Sequence, residues 1–112
     1  MQNINNDIIV IKKRKVIYFV STHEIIACEA NDNTTKVYLL NGEIIVATKC
    51  LKYFEAILLR MDFVKISRSV VVAVCQIRSV KSKTVQLVNG ISFKLLVNQN
   101  LIVESITTKY KT

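Results

Sequence analysis

The sequence predicts a mainly β domain of antiparallel hairpins, and three observations carry this prediction. Short segments rich in β-branched residues alternate with polar turns along the 112 residues. The only two glycines each follow an asparagine, at Asn41-Gly42 and Asn89-Gly90. Asn-Gly is the pair that best tolerates the positive φ angles of a type I′ hairpin turn. A single segment, residues 48–59, has the spacing of an amphipathic helix.

The first half of the chain contains five predicted strands. We expect them at residues 8–11, 16–20, 25–30, 36–40 and 43–47. Residues 12–15 are all basic and form a turn between the first two strands. Such a run is more often a solvated turn than a phosphate contact. The polar residues 31–35 form the turn before the fourth strand.

The predicted helix follows at residues 48–59. Leu51, Phe54 and Leu58 fall at i, i+3 and i+7 and form an apolar face, while lysines take the other faces. Thr48 is placed to cap the first turn. We interpret the apolar stripe as a packing face and assign it no ligand.

The second half returns to β character. In order, we expect a polar break at Ser67-Arg68-Ser69 within residues 63–74, a strand at residues 76–80, a basic turn at residues 81–83, the second Asn-Gly hairpin at residues 84–95 and a short helix at residues 101–106. Many short strands with tight turns and one clear helix are typical of a mainly β domain.

Composition indicates one globular domain. A chain of 112 residues with 51% hydrophobic residues is large enough to bury its own core. The longest apolar run, residues 70–75, is far shorter than the roughly 20 residues of a membrane-spanning helix. The asparagine-rich N-terminus lacks the apolar stretch of a signal peptide. We therefore expect a cytoplasmic protein with no membrane insertion.

The cysteines and the histidine argue against a disulfide framework and a metal site. Cys28, Cys50 and Cys75 are an odd number at wide spacing, which favours a reducing compartment. None of them forms a C-x-x-C pair, and His23 is the only histidine. We expect neither a metal ion nor a cofactor.

The charge of the chain favours a polyanionic partner. Sixteen basic residues against eight acidic ones give a formal net charge of +8. Between residues 60 and 94, seven basic side chains are accompanied by a single acid, Asp62. A basic surface also serves solubility, but this distribution favours nucleic acid.

No pattern in the sequence is typical of catalysis. Both glycines belong to hairpins, which leaves no glycine-rich phosphate loop, and His23 has no nucleophile pattern near it. We therefore expect a protein that is not an enzyme. The polar breaks between strands are better candidates for binding, because an arginine such as Arg68 can grip guanine or phosphate.

Several motifs also follow one another in a characteristic order. They are a strand ending in Glu-Ala before an Asn- and Thr-bearing loop at residues 25–35, Leu51-Lys52-Tyr53-Phe54-Glu55 in the helix, Phe63-Val64-Lys65-Ile66-Ser67-Arg68-Ser69 after it, and a second V-x-L-x-N-G hairpin at residues 85–90. Over residues 16–106 this order resembles the LytTR family of bacterial DNA-binding domains, which is common in response regulators.

The resemblance implies an elongated fold of about ten short strands in small antiparallel sheets with one or two short helices. It implies transcription regulation through three loops that enter successive major grooves of double-stranded DNA, with Asn33 as the base reader of the first loop. The DNA-binding side chains carried over are Asn31, Asp32, Asn33 and Thr34 in the first loop, Ser67, Arg68 and Ser69 in the second, and Asn98 in the third. Lys65, next to the second loop, is expected to add non-specific phosphate attraction, as are Lys81, Lys83 and Lys94.

The chain departs from the family pattern at the second and third loops. Ser67 stands where the family usually has histidine, and Ala73 and Val74 stand where an asparagine is common. The third loop is usually rich in serine and arginine, whereas residues 96–100 contain no arginine.

By the resemblance, residues 1–15 are an N-terminal strand or extension, residues 16–106 a stand-alone DNA-binding domain without a receiver domain, and residues 107–112 a tail. The expected partner is double-stranded DNA, with a homodimer on repeated half-sites and a regulatory protein as further candidates.

Two alternative functions stay open. The first is a protein-interaction domain whose DNA surface has decayed. The second is a single-stranded nucleic-acid binder, which would stack bases on exposed rings. The aromatic residues fall mostly at apolar-face positions, which argues against the second: Tyr18, Phe19, Tyr38, Phe54, Phe63 and Phe93.

Overall fold

The computed structural model describes residues 8–98, 100, 102–104 and 106, and these residues form three antiparallel sheets and one main helix. The strands are β1 (Ile8–Lys13), β2 (Val16–Ser21), β3 (Ile25–Asn31), β4 (Thr34–Leu39), β5 (Ile44–Ala47), β6 (Phe63–Ser67), β7 (Val70–Ala73), β8 (Ile77–Lys81), β9 (Thr84–Leu87) and β10 (Ser92–Lys94). Helix α1 spans Leu51–Leu58. The predicted mainly β fold of small antiparallel sheets is confirmed.

The central sheet has five strands in the order β5-β4-β3-β7-β6, and both of its faces are covered. Helix α1 and the β1–β2 hairpin cover one face, where Cys28 and Phe54 belong to one buried cluster. The sheet β10-β9-β8 covers the other face, where Ala27, Val72 and Val85 belong to a second cluster. Because β7 and the first four residues of β3 are buried on both faces, these segments are continuous apolar runs.

Helix α1 buries the face that its spacing predicts. Leu51, Phe54 and Leu58 are all buried. The predicted cap is wrong, because the N-cap residue is Cys50, which makes no side-chain hydrogen bond, and Thr48 lies two residues before it. The helix therefore depends on the packing of its apolar face.

The first Asn-Gly turn is not of type I′, which corrects the prediction. Gly42 donates its N–H to the carbonyl of Leu39 at 3.0 Å, and Leu39 donates to the carbonyl of Glu43 at 2.9 Å. These bonds define a three-residue loop in which glycine takes the positive φ, here 95°. Asn41 closes the loop by accepting the N–H of Glu43 at 2.9 Å.

The second Asn-Gly turn has the same three-residue form, with Gly90 at φ 90°. The type I′ pattern occurs instead in the β8–β9 turn (Ser82 and Lys83), where φ is 50° and 59°. Lys81 pairs with Thr84 on either side of that turn, so the loop has only two residues.

Tyr38 connects the central sheet to the three-stranded sheet. Its ring contacts Phe93 edge-on, with 5.4 Å between the ring centroids. Its hydroxyl donates to Oε1 of Glu29 at 2.6 Å. Burial, followed by this hydrogen bond to a carboxylate, raises the pKa of Tyr38 to about 12, so the phenol is protonated at neutral pH.

Beyond β10, the described residues 100, 102–104 and 106 are helical, as predicted for this region. Asn98 begins the turn: its Oδ1 accepts the N–H of Asn100 at 2.8 Å, and its carbonyl accepts that of Ile102 at 3.3 Å. The predicted tail and residues 1–7 of the predicted extension lie outside the described residues. No helix in the described part of the chain is long and apolar enough to cross a membrane.

Candidate nucleic-acid interface

Two of the predicted loops lie side by side at one end of the central sheet, which we call the turn end. The β3–β4 turn consists of Asp32 and Asn33, and the β6–β7 turn consists of Arg68 and Ser69. Since β3 and β7 are neighbouring strands, the N–H of Ala30 reaches the carbonyl of Ser69 at 2.8 Å. This hydrogen bond fixes the two turns relative to each other.

The segment after β10, residues 95–98, passes the turn end along the edge strand β6. Leu96 donates its N–H to the carbonyl of Ile66 at 3.0 Å, and Leu95 donates to the carbonyl of Lys83 at 2.8 Å. The third predicted loop and the β8–β9 turn are therefore brought to the β6 edge of the same surface.

Asn33 is a side chain of the β3–β4 turn that is available to a ligand. It is exposed, and its amide makes no hydrogen bond to any other described residue. Asp32 has a φ of 57°, which aspartate tolerates better than most residues. Thr34 donates its hydroxyl to the carbonyl of Asn31 at 2.7 Å. Asn31, Asp32 and Thr34 thus shape the turn that presents Asn33.

The β6–β7 turn has two exposed side chains and directly follows a buried serine. Arg68 and Ser69 are exposed, and the guanidinium of Arg68 makes no ion pair or hydrogen bond within the described residues. Ser67 is only 3% exposed, and its hydroxyl accepts the N–H of Ser69 at 3.2 Å. Ser67 therefore supports the turn and offers little surface to a ligand.

Lys65 is directed away from the turn end. Its Nζ forms an ion pair of 2.7 Å with Oε2 of Glu55 on α1. The pairing of β6 with β7 shifts register between Lys65 and Ser67, and such a bulge changes the direction of the side chains around it. The structure does not bring Lys65 into the group formed by Asn33 and Arg68.

The third predicted loop presents apolar side chains. Leu96 is 71% exposed and Val97 is 39% exposed. Asn98 is exposed as well, but its Oδ1 is occupied as the cap described above, which leaves its amide nitrogen for a ligand. The basic side chains at this edge come instead from Lys81 and Lys83, which are exposed.

Lys49 is a further basic residue at the turn end, and sequence reasoning missed it. Thr35 is fully buried, pairs with Ala47 across β4 and β5, and donates its hydroxyl to the carbonyl of Lys49 at 2.8 Å. Lys49 is exposed, with Nζ 5.2 Å from the centroid of the Tyr53 ring. Only the strand pairing places this isolated lysine beside the β3–β4 turn.

Apart from the carboxylate of Asp32, the exposed polar groups at the turn end are hydrogen-bond donors rather than metal ligands. No three His, Cys, Asp or Glu side chains among the described residues are grouped so that they could hold a metal ion. Burial raises the pKa of the Cys28 thiol to about 12, so it stays neutral at physiological pH. Exposed amide, guanidinium and ammonium groups suit phosphate oxygens and the edges of bases.

Comparison with known proteins agrees with this chemistry. The model of the LytTR family, described as the LytTr DNA-binding domain, matches residues 15–104. A solved structure of the LytTr DNA-binding domain of a response regulator from Bacillus cereus has the same fold, with a TM-score of 0.69, 19% identity and coverage of 91% of this chain and 94% of that chain. No curated protein matches the chain. Because the family match spans most of the sequence and includes every predicted site residue, the chain belongs to the LytTr DNA-binding domain family.

Proposed function

We propose that the chain binds specific sequences of double-stranded DNA through its turn end and thereby regulates transcription. The observation that carries the proposal is the pair Asn33 and Arg68, both exposed and both without a partner among the described residues. The backbone hydrogen bond between Ala30 and Ser69 fixes the turns that present them. Membership of a family of DNA-binding domains supports the proposal.

The strand order sets the distance between the two turns. The β3–β4 turn lies between β4 and β3, and the β6–β7 turn lies between β7 and β6, so their centres are two strand spacings apart, about 10 Å. One helical turn of B-DNA, and thus the step to the next major groove, is about 34 Å. The two turns therefore address one major groove and the phosphates beside it.

The hydrogen-bonding groups of each side chain suggest its role in the proposed complex. Arg68 has the planar fork that matches guanine O6 and N7 or a phosphate. Asn33 can pair with N6 and N7 of adenine. The exposed hydroxyl of Ser69 suits a phosphate oxygen. Ser67 and Thr34 hold the turns in shape, because their hydroxyls are already engaged.

Lysines provide the sequence-independent part of the affinity. Lys81, Lys83 and Lys94 are exposed near the β6 edge of the turn end. Each phosphate that they neutralise steepens the dependence of log K on log salt by about 0.9. Asn98 adds one amide donor, whereas the ammonium of Lys65 is already paired with Glu55.

Among the described residues, no group of neighbouring exposed rings offers the stacking platform that the single-stranded alternative needs. Phe54 and Phe63 are buried, as predicted. Phe19, at 70% exposed, is the exception to the predicted core placement, and Tyr53 is 39% exposed. These exposed rings lie on different elements, β2 and α1. Successive bases need neighbouring rings, so this arrangement favours the duplex.

The protein-interaction alternative has one observation in its favour. Leu96 and Val97 are exposed where the family usually has serine and arginine. Apolar side chains at that position contact neither phosphates nor base donors, and they suit an apolar protein surface.

Selection of bound duplexes from a random pool tests the proposal. We expect enrichment of one sequence motif, and repeated copies of it would indicate two chains on one site. Equal recovery of all sequences would contradict specific binding. Absence of binding to any duplex at about 50 mM salt, where phosphate attraction is strong, would favour the protein-interaction function.

Competition between single-stranded and double-stranded forms of the selected sequence follows. We expect the duplex to compete better, and a preference for the single strand would contradict the proposed mode of binding. Sedimentation of the complex then gives the number of chains for each duplex, which tests the homodimer.

A further inference from the structure

The β1–β2 turn (Arg14 and Lys15) has a concentration of positive charge that the proposed contacts do not use. It lies within the run Lys12-Lys13-Arg14-Lys15. Arg14 and Lys15 are exposed, and Lys13 pairs with Val16 across the turn. Among the described residues, none of the four basic side chains has an acidic partner. Unpaired charges of one sign on a two-residue turn repel one another, which is unfavourable unless an anion binds there.

Strand packing places this turn at the turn end. Lys12 and Lys49 line the same cavity, of about 290 Å³, between β1 and the start of α1. Lys49 is in turn bonded to Thr35, which follows the β3–β4 turn by two residues. The basic run therefore lies beside the β5 edge of the surface that presents Asn33.

The two edges of the central sheet thus each have a basic turn. From β5 to β6 there are four strand spacings, about 19 Å. The β1–β2 turn lies beside the β5 edge, on the face covered by α1, and the β8–β9 turn lies beside the β6 edge, on the opposite face.

We infer that the β1–β2 turn is a further DNA-backbone contact, which binds phosphates on the β5 side of the groove addressed by Asn33 and Arg68. This inference rests on the proposed duplex binding. It also adds phosphate attraction at the β5 edge, whereas the third loop at the β6 edge has Leu96 and Val97 in place of basic residues.

A pair of charge-matched variants tests the inference. Arg14→Asn with Lys15→Gln removes two charges from the β1–β2 turn, and asparagine tolerates the φ of 56° at position 14. Arg60→Gln with Arg78→Gln removes two exposed charges elsewhere. Both variants have a formal net charge of +6, which is +8 less two. Any effect of net charge alone is therefore the same in the two proteins.

The control charges do not belong to the turns at the turn end. Arg60 is two residues before Asp62, whose carbonyl accepts the N–H of Val74 at 2.9 Å, beyond the far end of β7. Arg78 is in the first part of β8, whose last residue leads into the β8–β9 turn. Interactions beyond about 10 Å are largely screened at 0.1 M salt.

The measurement is the binding of a mixed-sequence duplex of about 30 base pairs, followed by fluorescence anisotropy between about 50 and 200 mM salt. We expect the slope of log K against log salt to be smaller by about 1.8 in the β1–β2 turn variant, since each phosphate contact contributes about 0.9. When salt rises from about 50 to 200 mM, the factor by which this variant loses affinity is then roughly tenfold smaller than the factor for the wild type. The control variant should keep the wild-type slope.

The possible outcomes distinguish a failure of this inference from a failure of the proposed duplex binding. Wild-type binding with equal slopes in the two variants would overturn the inference and leave duplex binding intact. A wild type that binds no duplex would overturn both. Circular dichroism melting shows whether each variant is folded. If the double variant does not fold, Lys15→Gln alone, at an exposed position without positive φ, should lower the slope by about 0.9.

Discussion

Replacement of Arg68 by alanine is the most direct perturbation of the proposed interface. Arg68 is exposed and its guanidinium makes no ion pair or hydrogen bond within the described residues, so the fold should persist. Loss of one bidentate contact to a base costs about 1–3 kcal/mol, which is roughly a 5- to 150-fold loss of affinity. Anisotropy with the selected duplex measures this loss, and a thermal melt checks the fold.

Arg60→Ala is the matched control for this experiment. Arg60 is exposed, and the carbonyl of Asp62, two residues later, accepts a hydrogen bond from the N–H of Val74. Val74 follows the end of β7 that is far from Arg68. The four residues of β7, Val70–Ala73, extend over roughly 14 Å, more than the screening length of about 10 Å at 0.1 M salt. We expect this variant to bind almost as the wild type does. If Arg68→Ala and Arg60→Ala bind equally well, Arg68 is not part of the interface.

Arg68→Lys distinguishes a base contact from a phosphate contact. Lysine keeps the charge but lacks the planar fork. If Arg68 reads a base, we expect a loss of discrimination at one position of the DNA while the salt dependence stays the same. If it binds only phosphate, the lysine variant should keep most of the wild-type affinity and all of its sequence preference.

Three further predictions concern the stability of the fold that supports the turns, and chemical denaturation tests each of them. Leu51→Ala should lower the free energy of unfolding by about 2–5 kcal/mol, because it empties a buried position of α1; an unchanged midpoint would mean that this face does not support the core. Thr35→Val should lower the free energy of unfolding by about 1–3 kcal/mol, because the carbonyl of Lys49 loses its hydrogen-bond partner. Thr34→Val removes an exposed hydrogen bond and should lower it by less. Equal losses in the two variants would contradict the role of burial. Gly42→Ala should cost about 1–3 kcal/mol through its φ of 95°, since an added Cβ contacts nothing within 4 Å; a neutral substitution would refute this argument from backbone strain.

The strands and the helix could be predicted because local residue types decide them here. β-branched runs formed strands, and the apolar spacing of Leu51, Phe54 and Leu58 formed the buried face of α1. The turn geometry could not be predicted as well. The glycines were assigned to type I′ turns, whereas that pattern occurs at Ser82 and Lys83, where strand pairing imposes positive φ on residues that seldom adopt it.

The sequence indicates which turns form the candidate site, but it does not indicate how all of their side chains are oriented. The turns that contain Asn33 and Arg68 were identified from polar residues between strands. The burial of Ser67 and the ion pair of Lys65 depend on a register shift in β6 that leaves no mark in the sequence. Lys49 lies at the turn end through the pairing of β4 with β5, which connects residues distant along the chain.

The length of the turns has a consequence for how such a domain can change its target during evolution. The β3–β4 and β6–β7 turns have two residues each, and an insertion there would alter strand register and reverse which side chains face the core. Substitution at the turn positions has no such effect, because those side chains are exposed. If the proposed function holds, new sequence preferences can arise through single amino-acid exchanges on a constant backbone. Changes in the length of these turns would disturb the fold and be selected against for that reason.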